Sequence, residues 1–467
     1  MRFSYCTLRV FGVLTAFILA GCGANSGTTL PANGGPSHDA PSKSAHFRDL
    51  HFFCNQYPSC TDGGDPSGSL IFDAAGAIYG PLGIGGGGAH CGQKYGCGAV
   101  FKLAPSGSGY TYGPQYSFCA VAACHDGSAP SGNLVFDARG SLYGTTTAGG
   151  ANNEGVVFKL TPAGSSYRER VLYHFCQASN CTDGGAPQAG VIFDAGGDLY
   201  GTTPRGGANG SGTVFKLTPS GSGYTERVLY SFCRRAGCED GAAPAAGLVM
   251  DKSGVLYGTT PSGGNGNHGV VFNLTPSGPR YTQHVLYRFC KSSGGCADGA
   301  FPQAALILDQ QGALYGTTYG GGTNCYSFGD RRDTGRGGCG VVFRLTLSGT
   351  RYTERVLHRF CHELIACTDG AFPAGGVVLG AGGALYGATI SGGRGPGDEG
   401  RSGGIIFELT PSGSRYAFKI LHNFRTFDDL FPSTTPVLGS NGALYGTSTG
   451  GINIRGPATG AVWEKPL

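Results

Sequence analysis

One phrase recurs seven times in this chain and limits its fold more than any other feature. Its fullest copy runs Leu199-Tyr200-Gly201-Thr202-Thr203, a Gly-Gly pair, Thr213-Val214-Phe215-Lys216-Leu217-Thr218-Pro219, Tyr224, and finally Leu229-Tyr230-Ser231-Phe232-Cys233. The anchor tyrosines are Tyr79, Tyr143, Tyr200, Tyr257, Tyr315, Tyr386 and Tyr445, separated by 64, 57, 57, 58, 71 and 59 residues. A period this long, carried by short β-type runs, marks one supersecondary unit copied along the chain. It overrides the several domains that 467 residues would otherwise suggest. Glycine supplies 88 residues and charged side chains only 13%, against about 7% and about 25% in ordinary domains. Aromatic and β-branched residues recur at fixed offsets between the glycines. The glycines therefore mark tight turns between short strands and not low complexity.

Each copy reads as four strands. In residues 186 to 233, Gly190 to Asp194 is a short apolar run, and Asp194 to Gly197 is turn chemistry. Asp198 to Thr203, Thr213 to Thr218 and Tyr224 to Phe232 follow as the second, third and fourth strands. Apolar residues fall on both faces, as where Val156, Phe158 and Leu160 alternate with Val157, so each sheet lies between neighbours. The chain opens on a fourth-strand copy, His46 to Phe53, and ends on a third-strand copy, Gly460 to Glu464. Neither end holds a complete unit, and joined they make one. The expected fold is all-β: a seven-bladed β-propeller with four antiparallel strands per blade, closed by pairing the N-terminal outer strand with the C-terminal blade. An open solenoid would instead carry polar, atypical caps.

The Leu-Tyr-Gly-Thr-Thr, Gly-Gly, Val-Phe-x-Leu-x-Pro and Leu-Tyr-x-Phe series resembles the GloVer tandem-repeat family of exported bacterial proteins with varied anchors, over residues 46 to 467. The resemblance implies no settled activity. Departures are local: Ile78 and Pro81 blur the first copy, Gly380 and Gly439 replace the turn aspartate, and the seventh copy has no cysteine pair.

The N-terminus reads as an export signal. Arg2 and Arg9 precede an apolar stretch, Val10 to Ala20, that is short for a membrane span. Leu19-Ala20-Gly21-Cys22 resembles the lipobox of bacterial lipoproteins, which implies cleavage before Cys22 and lipidation of its thiol. Gly23, where an aspartate would favour inner-membrane retention, points to the outer membrane. The expected division is a signal peptide over 1–21, a Gly/Ser/Thr/Pro/Asn tether over 22–45 reaching on the order of 25 Å, and the propeller over 46–467. The expected location is the cell envelope, facing the periplasm or the surface.

Cys6 leaves with the signal and Cys22 takes lipid. The other sixteen cysteines form eight local pairs: Cys54/Cys60, Cys91/Cys97, Cys119/Cys124, Cys176/Cys181, Cys233/Cys238, Cys290/Cys296, Cys325/Cys339 and Cys361/Cys367. Six occupy the same place in successive copies, and local disulfides are the one scheme that makes those copies equivalent. An oxidising compartment fits. Zinc would need four ligands together, and these pairs stand apart in sequence. No metal site is assigned.

In such a ring the first strand of each blade lines the axis. The cysteine-bridged loop and the Gly-Gly loop share one face. Asp62, Asp126, Asp183, Asp240, Asp298 and Asp369 follow the bridged loops, with Asp429 in the same register, and read as loop-closing turn residues. Asp73, Asp137, Asp194, Asp251 and Asp309 read as hairpin-turn residues. Because they repeat, none marks a catalytic centre, which needs asymmetry. The breaks in the repeat are three longer loops: Pro81 to Gly98, Tyr319 to Gly340, and Ile390 to Gly404 with Arg394, Asp398, Glu399 and Arg401. The middle one brings Tyr326, Phe328, Asp330, Arg331, Arg332, Asp333 and Arg336 together as ligand-binding candidates.

No catalytic residue and no cofactor is assigned. No Ser/His/Asp order or metal-ligand run is visible, and Trp463 is the only tryptophan. A net charge of +4 gives no reason to expect nucleic acid. The expectation is a monomeric binding scaffold for a glycan, peptide or protein, touching the membrane through its lipid alone. The alternative is a carbohydrate-active hydrolase or lyase with carboxylates at the axis.

Overall fold

The computed structural model describes residues 46–467 apart from 55–59, 93–94, 222, 279, 292–295, 323–337, 362–366, 394–402, 425–429 and 451–459. The signal, the tether and Cys22 therefore lie outside the described residues. So do Cys325, Asp429, all seven ligand-binding candidates from Tyr326 to Arg336, and Arg394, Asp398, Glu399 and Arg401.

Seven antiparallel sheets make a seven-bladed β-propeller. The third blade shows the pattern: Ile192–Phe193, Leu199–Thr203, Thr213–Ser220 and Gly223–Ser231, paired in that order. Helical structure among the described residues is confined to 3-10 turns. The ring closes as its ends imply. Arg48–Phe52 pairs with Gly460–Lys465, setting Arg48 opposite Glu464 and Phe52 opposite Ala461, and so becomes the fourth strand of the seventh blade.

The first strand is shorter than its apolar run. Regular pairing in the third blade covers only Ile192 and Phe193, not Gly190 to Asp194. The preceding residues instead serve the neighbouring blade: the Thr145 hydroxyl donates to the Ala189 carbonyl, 2.9 Å away.

The repeated phrase can be decoded residue by residue. Leu199 is buried in the blade core. The Tyr200 hydroxyl donates to Asp194 Oδ2 at 3.0 Å, while Asp194 Oδ1 accepts the N–H groups of Gly196 and Asp198. That is an Asx-type hairpin turn, and it repeats at Asp73, Asp137, Asp251 and Asp309. Gly201 is required because a Cβ there would lie 2.5 Å from Phe215 Cζ. The first threonine ties blade to blade: Thr202 donates to the Ala246 carbonyl, Thr259 to that of Ala304 and Thr317 to that of Gly375. The second bends the loop by donating to the carbonyl two residues on, as Thr203 does to Arg205.

The junctions between blades are aromatic. The phenylalanine that ends each fourth strand meets the third-strand aromatic of the next blade edge-on. The pairs are Phe118–Phe158, Phe175–Phe215, Phe232–Phe272, Phe289–Phe343, Phe360–Phe407, Phe424–Trp463 and, across the closure, Phe53–Phe101, with centroids 5.0 to 6.1 Å apart. These distances suit edge-to-face contact, worth about 0.5–1.5 kcal/mol per pair beyond the area buried.

Trp463 fills the place that phenylalanine holds elsewhere. It is fully buried, and its indole N–H has no acceptor. Trp463→Ala should cost about 3–5 kcal/mol. Trp463→Phe, which restores the consensus ring and removes the unpaired donor, should cost less than about 1.5 kcal/mol. Denaturant unfolding of the two variants measures the difference.

Candidate functional site

Two loops from successive blade junctions meet on one face among the described residues. In the third blade, the Gly207 N–H donates to the Cys181 carbonyl at 2.9 Å. A Cβ on Gly206 would come within 2.3 Å of that carbonyl, and its φ of +71° suits glycine alone. The same bond joins Gly150 to Cys124, Gly264 to Cys238, Gly322 to Cys296 and Gly393 to Cys367. The Gly-Gly loop is thereby held against the bridged loop.

Local disulfides join Cys54–Cys60, Cys91–Cys97, Cys119–Cys124, Cys176–Cys181, Cys233–Cys238, Cys290–Cys296 and Cys361–Cys367. Cys339 is buried, and its counterpart Cys325 lies outside the described residues. Both cysteines of every described disulfide except Cys91–Cys97 have positive φ, such as 60° at Cys176 and 52° at Cys181. Non-glycine residues hold that conformation only where their surroundings enforce it.

The aspartates provide part of that enforcement. Asp183 is buried; its Oδ2 accepts the Tyr173 hydroxyl at 2.8 Å and the Gln177 N–H at 2.9 Å, and its Oδ1 accepts the Ala178 N–H. Asp126 and Asp240 do the same with Tyr116 and Tyr230. Asp298 accepts from Tyr287 and from the N–H groups of Cys290 and Lys291. These carboxylates close the bridged loops and face inward onto backbone donors.

A further carboxyl, on the fourth strand of the following blade, escaped the sequence reading. Glu169 stands by Asp126, Glu226 by Asp183 and Glu354 by Asp298. Burial first and the neighbouring aspartate second push Glu169 and Glu226 up to about 8. The same two causes, opposed by Arg359, Lys291 and Tyr287, bring Glu354 to about 7. At the equivalent place Gln283 donates to the Asp240 carbonyl at 3.2 Å.

The other three junctions replace the acid pair with stacked rings. His51 lies on Tyr112, His358 on Phe418 and His422 on Phe47, with centroids 4.6, 4.1 and 3.8 Å apart and planes within 7°. The signal was present in register: wherever the tyrosine of the Tyr-x-Phe segment becomes histidine, the facing glutamate becomes aromatic.

A second exchange surrounds the anchor tyrosines. The third-strand cation lies over the tyrosine ring, as with Lys102 on Tyr79 at 5.1 Å and Lys159 on Tyr143 at 4.9 Å. Each also pairs with the turn aspartate. Burial alone would raise Asp137, but the N–H groups of Ser141 and Arg139, with Lys159 and Tyr143, outweigh it and hold the carboxyl below its ordinary range. Where the aspartate becomes Gly380 or Gly439, the cation becomes Glu408 or Glu464, and each accepts the anchor hydroxyl of Tyr386 or Tyr445. The tyrosine keeps a carboxylate partner in all seven blades.

The axis is different in kind. A cavity of about 400 Å³ runs between the first strands of all seven blades. Ser67, Asn133, Gln188, Gln303, Ser433 and Thr435 are among its polar lining residues, set between small and apolar ones, and no charged side chain is among its described lining residues. The Ser433 hydroxyl has no partner. Gln188 and Gln303 are exposed. The carboxylates that an axial hydrolase or lyase would need are therefore not among these residues.

The profile of the Gloeobacter/Verrucomicrobia repeat matches residues 40–179 and 86–329. The chain belongs to this family. No curated protein matches this member of the repeat family. Among solved structures, a fungal alcohol oxidase of the AA5 family, in complex with copper, superposes with a TM-score of 0.52 at 13% identity, over 90% of this chain and 76% of its own. A polysaccharide lyase of family PL25, an ulvan lyase, also reaches 0.52, at 10% identity, over 87% of this chain and 94% of its own. At such identities the likeness is one of fold alone.

Three outcomes test the junctions. Folding favours the protonated form of Glu169 and Glu226, so their contribution to stability is full below the unfolded carboxyl pKa near 4.5 and is lost as pH rises through about 8. Thermal melts of Glu169→Gln/Glu226→Gln should show a flatter decline over that window and a higher midpoint than the parent at pH 8. Removing the Cys176–Cys181 bridge by double serine substitution should cost about 2 kcal/mol. Asp183→Ala, which removes a buried carboxylate that accepts three hydrogen bonds, should cost roughly 3 kcal/mol.

Proposed function

We propose that this protein is an envelope lipoprotein, anchored through Cys22, whose propeller binds a neutral, hydroxyl-rich ligand of the glycan class at the axial cavity and its loop face. One observation carries this reading: the cavity walls offer amides and hydroxyls from the first strands without a charged side chain among the described lining residues. Amides and hydroxyls both donate and accept, which matches the mixed hydrogen bonding of sugar hydroxyls. The repeated carboxylates, in contrast, are spent on turns and bridged loops, so acid–base chemistry has no support from them. The insert from Tyr326 to Arg336, between the second and third strands of the fifth blade, is read as a second contact region, with residues 22–45 as the tether to the lipid. The reading implies a monomer, with the membrane touched through the lipid alone.

Calorimetric titration of the Cys22→Ser protein with neutral oligosaccharides and with envelope polysaccharide tests it. Saturable binding without product formation is expected. Gln188→Ala/Gln303→Ala should weaken that binding at least about tenfold, near 1.4 kcal/mol, with the melting temperature unchanged. Binding indifferent to both glutamines and to deletion of residues 323–337 would sink the proposal.

A further inference from the structure

The first blade carries two disulfides where a typical blade carries one, and they are packed against each other. The sulfurs of Cys91, Cys97 and Cys119 all lie within 4.8 Å of one another. Cys91 bonds Cys97, and Cys119 bonds Cys124. The inner sulfurs belong to buried residues, Cys97 at 3% and Cys119 at 0% exposure. The outer residues, Cys91 and Cys124, are half-buried. Three of the four sulfurs thus sit in one cluster, and the fourth is bonded to Cys119.

This closeness is built into the repeat. The residue 22 positions ahead of each loop pair, which is Cys97, Glu154, Ser211, His268 or Cys339, accepts through its carbonyl an N–H from the next blade. Ala129 supplies it to Cys97 at 2.8 Å and Phe372 to Cys339 at 2.8 Å. The His90 N–H binds the Cys119 carbonyl at 2.9 Å and pins the extra loop onto the bridged one. The position faces the loop pair in other blades too: His268 lies within 4.8 Å of Cys290 and Cys296, and Cys339 within 4.8 Å of Cys361 and Cys367. A cysteine at that position is therefore held against a disulfide.

The geometry points to a thiol–disulfide exchange site in the first blade, formed by Cys91, Cys97, Cys119 and Cys124 and served by an external dithiol. The dithiol reduces Cys91–Cys97 and is itself oxidised to a disulfide. The Cys97 thiolate attacks Cys119 Sγ. The Cys97–Cys119 bond forms, the Cys119–Cys124 bond breaks, and the electron pair leaves on Cys124, which takes a proton from water. The Cys91 thiolate then attacks Cys97 Sγ, restores Cys91–Cys97 and releases Cys119 as a thiolate that is protonated. Two electrons have passed from the dithiol to the loop pair, and the bridged loop on the loop face is opened. A lone loop pair such as Cys176–Cys181 has no third cysteine sulfur at the matching place, which Glu154 occupies.

The test maps disulfides in the full oxidised protein exposed to substoichiometric dithiothreitol, quenched with N-ethylmaleimide and cut with trypsin. In the native pairing, the peptide Tyr95–Lys102 is joined to the one ending at Lys94. Exchange joins Tyr95–Lys102 to Leu103–Arg139 and leaves Cys124 alkylated. That crossed link is expected early in the time course, with none joining Cys176 or Cys181 to another pair. Cys91→Ser should show the Cys97–Cys119 link without added reductant, and Cys124→Ser should show Cys119 joined to Cys91 or Cys97. Native links alone in the parent throughout reduction, with Cys97 alkylated beside an intact Cys119–Cys124 in the folded Cys91→Ser protein, would overturn the proposal. The parent time course decides the matter if either variant fails to fold.

Discussion

Everything in this molecule depends on one contact made seven times: the aromatic ring that ends a blade's fourth strand, set edge-on against the third-strand ring of the next blade. A four-stranded blade has apolar side chains on both faces and cannot bury either by itself. The third strand shows this directly, with Val156, Val157 and Phe158 all fully buried. Only a neighbour on each side satisfies it, and only a closed ring gives every blade two neighbours. Closure is therefore demanded by the core itself, and Phe53 meeting Phe101 across the two chain ends is the contact that completes it.

Around that ring, the polar groups act as a second set of joints. Anchor tyrosine, turn aspartate and third-strand cation form one unit, and bridged loop, aspartate and fourth-strand tyrosine form another. Several exchanges come as sets, although the fourth blade carries Asn273 in place of the cation and keeps Asp251 on Tyr257. Losing the aspartate at Gly380 and Gly439 comes with a change of cation to carboxylate at Glu408 and Glu464. Losing the tyrosine at His51, His358 and His422 comes with an aromatic partner to stack upon. A buried hydroxyl needs an acceptor, so losing the carboxylate alone would strand it, and where histidine replaces the tyrosine, His358 Nε2 still pairs with Asp369 Oδ2 at 3.0 Å.

The consequence for function is a division of labour. The carboxylates that look most chemical are committed to structure, while the axial surface, lined by Ser, Thr, Asn and Gln with small residues, is left neutral. The asymmetry that a ring of equal blades lacks enters where the repeat is interrupted, as at the extra disulfide of the first blade.

Much of the fold was legible in the chain because its determinants are local or periodic. Seven anchor tyrosines, each in a copy of the Leu-Tyr-Gly phrase or its Ile-Tyr-Gly variant, count the blades. The incomplete copies at Phe53 and Trp463 reveal the closure, and Asp194 announces its turn because its partners, Gly196, Asp198 and Tyr200, lie within six residues. What joins different copies was not legible. Glu169 beside Asp126 and Cys97 beside Cys119 bring together residues 43 and 22 positions apart. The neutrality of the axis depends on which side of each short first strand faces inward. Those relations are set by how one blade's twist seats it against the next, and that packing exists only in the assembled ring.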